Sequence, residues 1–255
     1  MIKFFRRIRQ DLIMENRIGK YFKYAIGEII LVVIGILIAL QINNWNSAQK
    51  DIDKEQQILM SLKEEFKQNI KELSFDHKVN LGCINAISTL LNFDHKVDFE
   101  TRTIDSLMGQ ASNFSTFDAR LGVINDISSS GNLELIRDSE LRYKLNQWTG
   151  ELDDYREDVV IRRDYWINHT ASMTNKFLPA RNRDFFMDRE DYTRGIKIKP
   201  IEVQKSNYIE FLTSLEIDGF LFDYYINQSF VNINEEAIMR FLEDTLELIE
   251  ININR

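Results

Sequence analysis

Residues 25–42, AIGEIILVVIGILIALQI, are apolar except at Glu28 and Gln41, and no other stretch of the chain is as uniformly apolar. At about 1.5 Å per residue this run extends about 27 Å, close to the thickness of a bilayer's hydrocarbon core. A helix buried in a soluble core would normally keep a polar stripe, and residues 29–40 carry no polar side chain on any face. A cleaved signal peptide would have a shorter apolar run and a small-x-small cleavage site, whereas Leu40, Gln41 and Ile42 follow Ala39. The run therefore reads as an uncleaved signal anchor, assigned to residues 25–44.

Beyond Trp45 the period changes to that of helices packed in water. Leu59, Leu62, Phe66, Ile70, Leu73, His77, Leu81, Ile84, Ile87 and Leu91 recur at steps of three or four, predicting one helix of about forty residues continuous with the span. A loop over residues 93–100 and a short helix near residues 104–110 follow. Residues 117–128 read as another helix, stopped by the poor helix formers Ser128, Ser129 and Ser130 and by Gly131, where the chain should reverse. Leu141, Leu145, Trp148, Leu152, Tyr155, Val159, Arg162, Trp166, His169 and Met173 alternate steps of four and three, an a/d seam of about five heptads. Two long antiparallel helices are the simplest architecture.

Pro179, Gly195 and Pro200 frame an irregular loop over about 179–205 that includes Phe185, Phe186 and Tyr192. Ser206 reads as the N-cap of a helix over 208–225, and Asn234, Glu235 and Glu236 as the opening of a last helix through Ile238, Phe241, Leu242, Leu246 and Ile249. The tail IEININR is ambiguous between fraying helix and strand. The fold class is all-α: a single N-terminal transmembrane helix continuing into an antiparallel, coiled-coil-like bundle of long helices outside the cytoplasm, residues 45–255.

Charge sets the orientation. The chain carries −8 overall, yet residues 1–24 hold Lys3, Arg6, Arg7, Arg9, Arg17, Lys20 and Lys23 against Asp11 and Glu15, so this arm is +5 and the remainder −13. A basic arm beside an acidic body fits an anionic lipid surface and makes a nucleic-acid partner an unfavourable reading. Residues 45–64 hold only Lys50, Lys54 and Lys63, so the positive-inside rule places the N-terminus in the cytoplasm and the body outside. Phe4, Phe5, Ile8 and Leu12 fall at helical spacing opposite Lys3, Arg6 and Arg7, as in a helix lying in the inner leaflet. Trp45 after the span, and Tyr21 and Tyr24 before it, suit the interfacial belts. Gly35 and Ala39 form a small-xxx-small pair with Gly27 on roughly the same stripe, a surface along which two membrane helices could approach. Glu28 lies where snorkelling to the cytoplasmic interface beside Lys20 or Lys23 is open to it.

The stretch YFKYAIGEIILVVIGILIALQINNWN at residues 21–46, with the opening MIKFFRRIRQ and the segment ISSSGNLELI at 127–136, resembles a family of uncharacterised single-pass bacterial membrane proteins. The likeness lies mainly in the first 50 residues. It implies an inner-membrane protein of a diderm bacterium with a helical periplasmic part, and it attaches no activity.

There is no Walker loop, dinucleotide glycine fingerprint, HExxH, GxSxG or paired CxxC, and the single Cys83 permits no intrachain disulfide. FDHKV occurs at 75–79 and again at 93–97, but on one straight helix its two histidines would stand about 27 Å apart and could share a metal only across a hairpin. His77 and His169 fall on apolar stripes, as hydrogen-bonded core histidines do. Glu151, Asp153, Asp154, Glu157 and Asp158 read as a solvated face, and Tyr208, Phe211, Phe220, Phe222, Tyr224, Tyr225 and Phe230 as core. No catalytic residue, metal site or cofactor is expected.

The reading that needs least is a membrane-tethered periplasmic helical module that binds a partner protein or itself. A ligand-sensing bundle is the alternative; 24 residues before the span cannot hold a kinase or receiver domain, so it would need a separate transmembrane partner. An enzyme would have to assemble Asp, Glu and His from distant helices.

Overall fold

The computed structural model describes residues 18–185 and 198–253. Regular structure among them is helical throughout: α1 covers Ile18–Leu91, α2 Thr101–Ala111, α3 Gly122–Ser129, α4 Ser139–Thr174, α5 Ala180–Phe185, α6 Lys205–Thr213 and α7 Leu215–Asn252, with a 3-10 turn at Asn132–Leu135. Contacts divide the chain into residues 1–57 and 58–255. In the first unit every residue from 29 to 50 is exposed, and α1 is the one helix among the described residues long and apolar enough to cross a membrane. No break separates the apolar stretch from the helix predicted after it.

In the second unit α7 packs against both α1 and α4. Side-chain contacts fix the directions. Lys63 meets Glu250 and His77 meets Glu235, so α1 and α7 are antiparallel; Lys144 meets Asp244 and Tyr165 meets Asp223, so α4 and α7 are antiparallel too. Phe66 lies against Trp148 and Asn80 against Arg162, which makes α1 and α4 parallel. The expected antiparallel pairing of those two helices is thereby corrected: the connection over residues 92–138 returns the chain to the start before α4 begins.

That connection is held by α1 side chains acting as backbone substitutes. The Asn69 amide donates to the Arg120 carbonyl (3.0 Å) and accepts from its N–H (2.8 Å), and Asn80 pairs with Ser115 in the same way (3.1 and 2.9 Å). With these groups satisfied, residues 113–121 have no need to become helical. The helix expected over 117–128 starts only at Gly122, where the Glu65 carboxylate accepts from the N–H groups of Val123 (2.7 Å) and Ile124 (3.3 Å). Gly131 sits at φ 71°, a left-handed turn that an L side chain rarely adopts.

Four further expectations change. Leu81 is 40% exposed, and the polar Asn80 is buried in its place. The α4 seam is buried from Leu141 through Trp166, but then passes to Thr170 and Thr174 instead of His169 and Met173, because a 3.6-residue helix drifts off a strict heptad. Part of the loop expected over 179–205 is helix α5, whereas Phe186, Tyr192 and Gly195 lie outside the described residues. Ser206 is no N-cap: α6 follows Gln204, and the cap belongs to Ser214, whose hydroxyl accepts from the Ile217 N–H (3.4 Å) and starts a helix that runs unbroken through Glu235 to Asn252.

Two apolar clusters form the core. One gathers Leu62, Phe66, Trp148, Tyr155 and Ile238; the other gathers Cys83, Ile87, Trp166, Phe220 and Tyr224. Aromatic rings carry much of each, with Trp148 stacked on Phe241 at 5.6 Å and Trp166 against Tyr224 at 4.6 Å.

Candidate functional site

Where the two clusters meet, α1, α4 and α7 each contribute polar side chains to one buried layer. Arg162 has no solvent exposure. Its guanidinium donates to Asn80 Oδ1 (3.2 Å), Gln228 Oε1 (3.3 Å), the Ser115 carbonyl (3.1 Å) and Thr116 Oγ1 (3.5 Å), and lies 4.5 Å from the Phe114 ring centroid. Glu235, equally buried, accepts from Asn80 Nδ2 (2.6 Å), His77 Nδ1 (2.9 Å) and Tyr155 (3.5 Å). Gln228 passes a hydrogen bond on to Asn232 (2.8 Å). A cation, a carboxylate and three amides thus hydrogen-bond one another in the interior, with Arg162 Nε and Asn232 Nδ2 left buried and without a partner among the described residues. A smaller knot joins Asp105, Tyr208 and Asn182; the Asn182 amide also brackets the backbone of Ile201 (2.9 and 3.0 Å).

Burial holds Glu235 above the ordinary carboxylate range, against hydrogen bonds from His77 and Asn80 that pull it down. Asp76, on α1 one turn before Asn80, and Asp105 are raised for the same first reason, opposed by Ser115 in one case and by Tyr208 and Asn182 in the other. The sign for stability follows from linkage. A carboxyl with a folded value above its unfolded one binds its proton more tightly when folded, so stability rises as pH falls through the folded value, and the gain is complete below the unfolded value. Relief of this burial penalty on protonation should raise the melting temperature as pH falls toward the ordinary carboxylate range, and the rise should be smaller in Glu235→Gln, which has no proton to gain. Thermal melts at several pH values check this; an equal rise in both proteins contradicts it.

The residues singled out from sequence are spread over the molecule. Leu141, Leu145, Trp148, Leu152, Tyr155, Val159 and Trp166 are buried along α4. Gly27 and Gly35 have nothing within 4 Å of where a Cβ would stand, Ala39 is exposed, Glu28 is half-buried and Trp45 is 67% exposed. Phe4, Phe5, Arg6, Arg7 and Arg9 lie outside the described residues. His77 of the first FDHKV is committed to Glu235, while the second copy forms the turn after α1. His169 donates to the Tyr165 carbonyl (2.8 Å) and stacks on that ring. Of the acidic group on α4, four members are exposed and Asp158 accepts from Asn234 (2.7 Å). Phe222 and Phe230, expected in the core, are 52% and 53% exposed. Among the described residues no three His, Cys, Asp or Glu side chains gather closely enough to hold a metal ion.

Sequence reasoning missed the layer itself. Its one visible signal was Arg162 at a seam position between Val159 and Trp166; Asn80, Gln228, Asn232 and Glu235 sit on turns that looked polar or helix-opening.

A family model described as a family of unknown function (DUF6090) matches residues 28–178, more than half of the chain, from inside the apolar stretch to beyond the end of α4. Neither the curated proteins nor the solved structures give a match.

Proposed function

Because the chain belongs to this family of unknown function, we propose from its own physical chemistry that it is a membrane-anchored module whose helical body works outside the cytoplasm by protein contact, without catalysis. The observation that carries the reading is the apolar stretch of α1, none of which is buried against the rest of the protein. An 18-residue apolar rod left in water would expose far more apolar area than the patches soluble monomers tolerate. The basic arm before it and the lysine-poor stretch after it support a cytoplasmic N-terminus of a single-pass inner-membrane protein. The buried layer supports a binding role, since Arg162 and Glu235 are engaged by neighbouring helices and by the 113–121 segment, and serve to hold the body rigid.

The intact chain purified in mild detergent from its native membrane should carry a stoichiometric protein partner or a further copy of itself. A chain that purifies alone as single copies contradicts the proposal. The arm makes a separate prediction: reversing the charges of Arg6, Arg7 and Arg9 should weaken binding of the arm peptide to anionic vesicles by about 1 kcal/mol per charge removed from the surface. Vesicle co-sedimentation reads this directly, and unchanged binding contradicts it.

A further inference from the structure

The outer face of α7 bears an apolar stripe that none of the neighbouring helices covers. Leu215, Phe222, Ile226, Phe230 and Ile233 are all exposed. At 3.6 residues per turn these positions fall within a sector of about 80°, and the stripe runs about 27 Å along the helix. One edge of it borders α4. There Tyr165 meets Asp223 and Asp158 meets Asn234, so Phe230 of α7 and Ile161 of α4 lie between the same two pairs. Ile161, three residues from Asp158 and four from Tyr165, shares their face of α4, and its exposed side chain widens the apolar surface at that level.

That edge carries one sign of charge. Glu151, Asp154 and Asp158 recur at steps of three and four on the face that α4 turns toward α7, and Asp223 continues the row on α7 itself. Burial, and then the neighbouring carboxylates of Glu157 and Asp154, hold Asp158 above the ordinary carboxylate range, as expected where like charges crowd together. The cations of this part of α4 are engaged elsewhere: Arg156 holds Asp153, Arg163 holds Asp164, and Arg162 lies in the buried layer. Residues 214–239, which carry the stripe, include no Lys or Arg. The α1 edge is different. Asp218 and Glu236 lie toward it, but Lys67, Lys71, Ser74 and Lys78 share the stripe of α1 that meets Glu250 and Met239 of α7, so neither sign prevails there.

We propose that the stripe docks an amphipathic helix of a partner protein, with large apolar side chains on its buried face and Lys or Arg along the edge that lies over α4. Seating of an apolar helix face supplies the affinity, with Phe222, Ile226, Phe230 and Ile233 as the surface that its anchors meet. The carboxylate row selects the partner. It attracts a cationic edge, and it repels an anionic lipid surface or a second copy, which would bring the same row. A helix of about 18 residues matches the length of the stripe. Docking of this kind rests on the protein-contact reading above and gives the partner its chemistry.

The full chain in phosphatidylcholine nanodiscs, whose lipid carries no net charge to draw a cation, tests this with a fluorescein-labelled helical peptide of about 18 residues, leucine on one face and lysine on the other. Fluorescence anisotropy should show saturable binding above that of empty nanodiscs, weakened about tenfold when salt rises from about 50 mM to about 500 mM. A peptide of the same pattern with glutamate for lysine should not bind. Phe222→Ser with Phe230→Ser, and separately Glu151→Lys with Asp154→Lys, should each weaken the lysine peptide by about tenfold or more, by removing the anchors and the carboxylate row in turn. All four positions are exposed, so circular dichroism of these variants should match the parent. Glu64→Lys with Asp126→Lys makes the same change in net charge at exposed positions away from the stripe and should leave the affinity as it was. Four outcomes overturn the proposal: no saturable binding of the lysine peptide, equal binding of the glutamate peptide, an affinity unmoved in either stripe variant, or an equal loss in the Glu64→Lys, Asp126→Lys chain. A Phe230→Cys thiol that resists maleimide before peptide is added overturns it too, because a second copy or lipid would then already cover the stripe; Cys83 is buried and supplies no background. Any of these results in a chain that still copurifies with another protein would remove the cationic helix and leave the protein-contact reading standing.

Discussion

Replacing Arg162 with alanine should destabilise the body by about 3–5 kcal/mol, the cost of removing one member of a buried charged network. The substitution deletes four hydrogen bonds and the contact over Phe114 at once. It also leaves Glu235 buried without the guanidinium, held by its hydrogen bonds to His77, Asn80 and Tyr155. The Ser115 carbonyl loses one of its two donors, so the 113–121 segment should loosen with it. For a protein of this size the loss corresponds to a fall of roughly 10 °C in melting temperature, read by circular dichroism of the detergent-solubilised chain. Glu235→Gln should stay within about 1 kcal/mol of the parent, because an amide of the same shape can still accept from Asn80 and escapes the penalty of burying a carboxylate. A loss below about 1 kcal/mol for Arg162→Ala would mean that the layer does not hold the helices together.

A second large effect is expected at the other end of α1. Val33 and Leu37 are exposed, one turn apart on that helix. Arginine at both positions should cost about 2.5–3.5 kcal/mol each in the centre of a bilayer. The doubly substituted chain should leave the membrane pellet for the soluble or aggregated fraction after carbonate extraction, with the helical body still folded. Retention in the pellet equal to that of the parent would contradict the reading of this segment as a span.

The helices were legible where single positions carry large apolar groups at regular steps. α4 is the clear case: from Leu141 to Trp166 every seam position but Arg162 is apolar or aromatic, and all are buried. α7 was harder, because Asn227, Gln228, Asn232 and Asn234 look like a break between helices. In the fold Gln228 bonds Asn232 along the helix, and Asn234 reaches Asp158 on α4, so the amides are satisfied without ending it. The polar layer could not be read in advance. It joins residues 82 and 155 positions apart on three helices, and each taken alone resembles an ordinary surface or capping residue. The pairing of α1 with α4 was misjudged for a similar reason: the long return through residues 92–138 is held by Asn69 and Asn80, whose amides carry no periodic signal.

The exposed face of α7 shows how a sequence pattern can be sound while its assignment is not. Phe222 and Phe230 recur at helical spacing as core residues do, and only the packing of α1 and α4 against the opposite side of α7 reveals that they point away from the core.

Topology decides whether the body can meet partners outside the cytoplasm at all. Protease added to spheroplasts of a diderm bacterial host expressing the intact chain should digest residues 45–255 without detergent and leave a protected fragment bearing the N-terminal arm and the span. A body that stays whole until the membrane is permeabilised would place it on the cytoplasmic side and contradict the account.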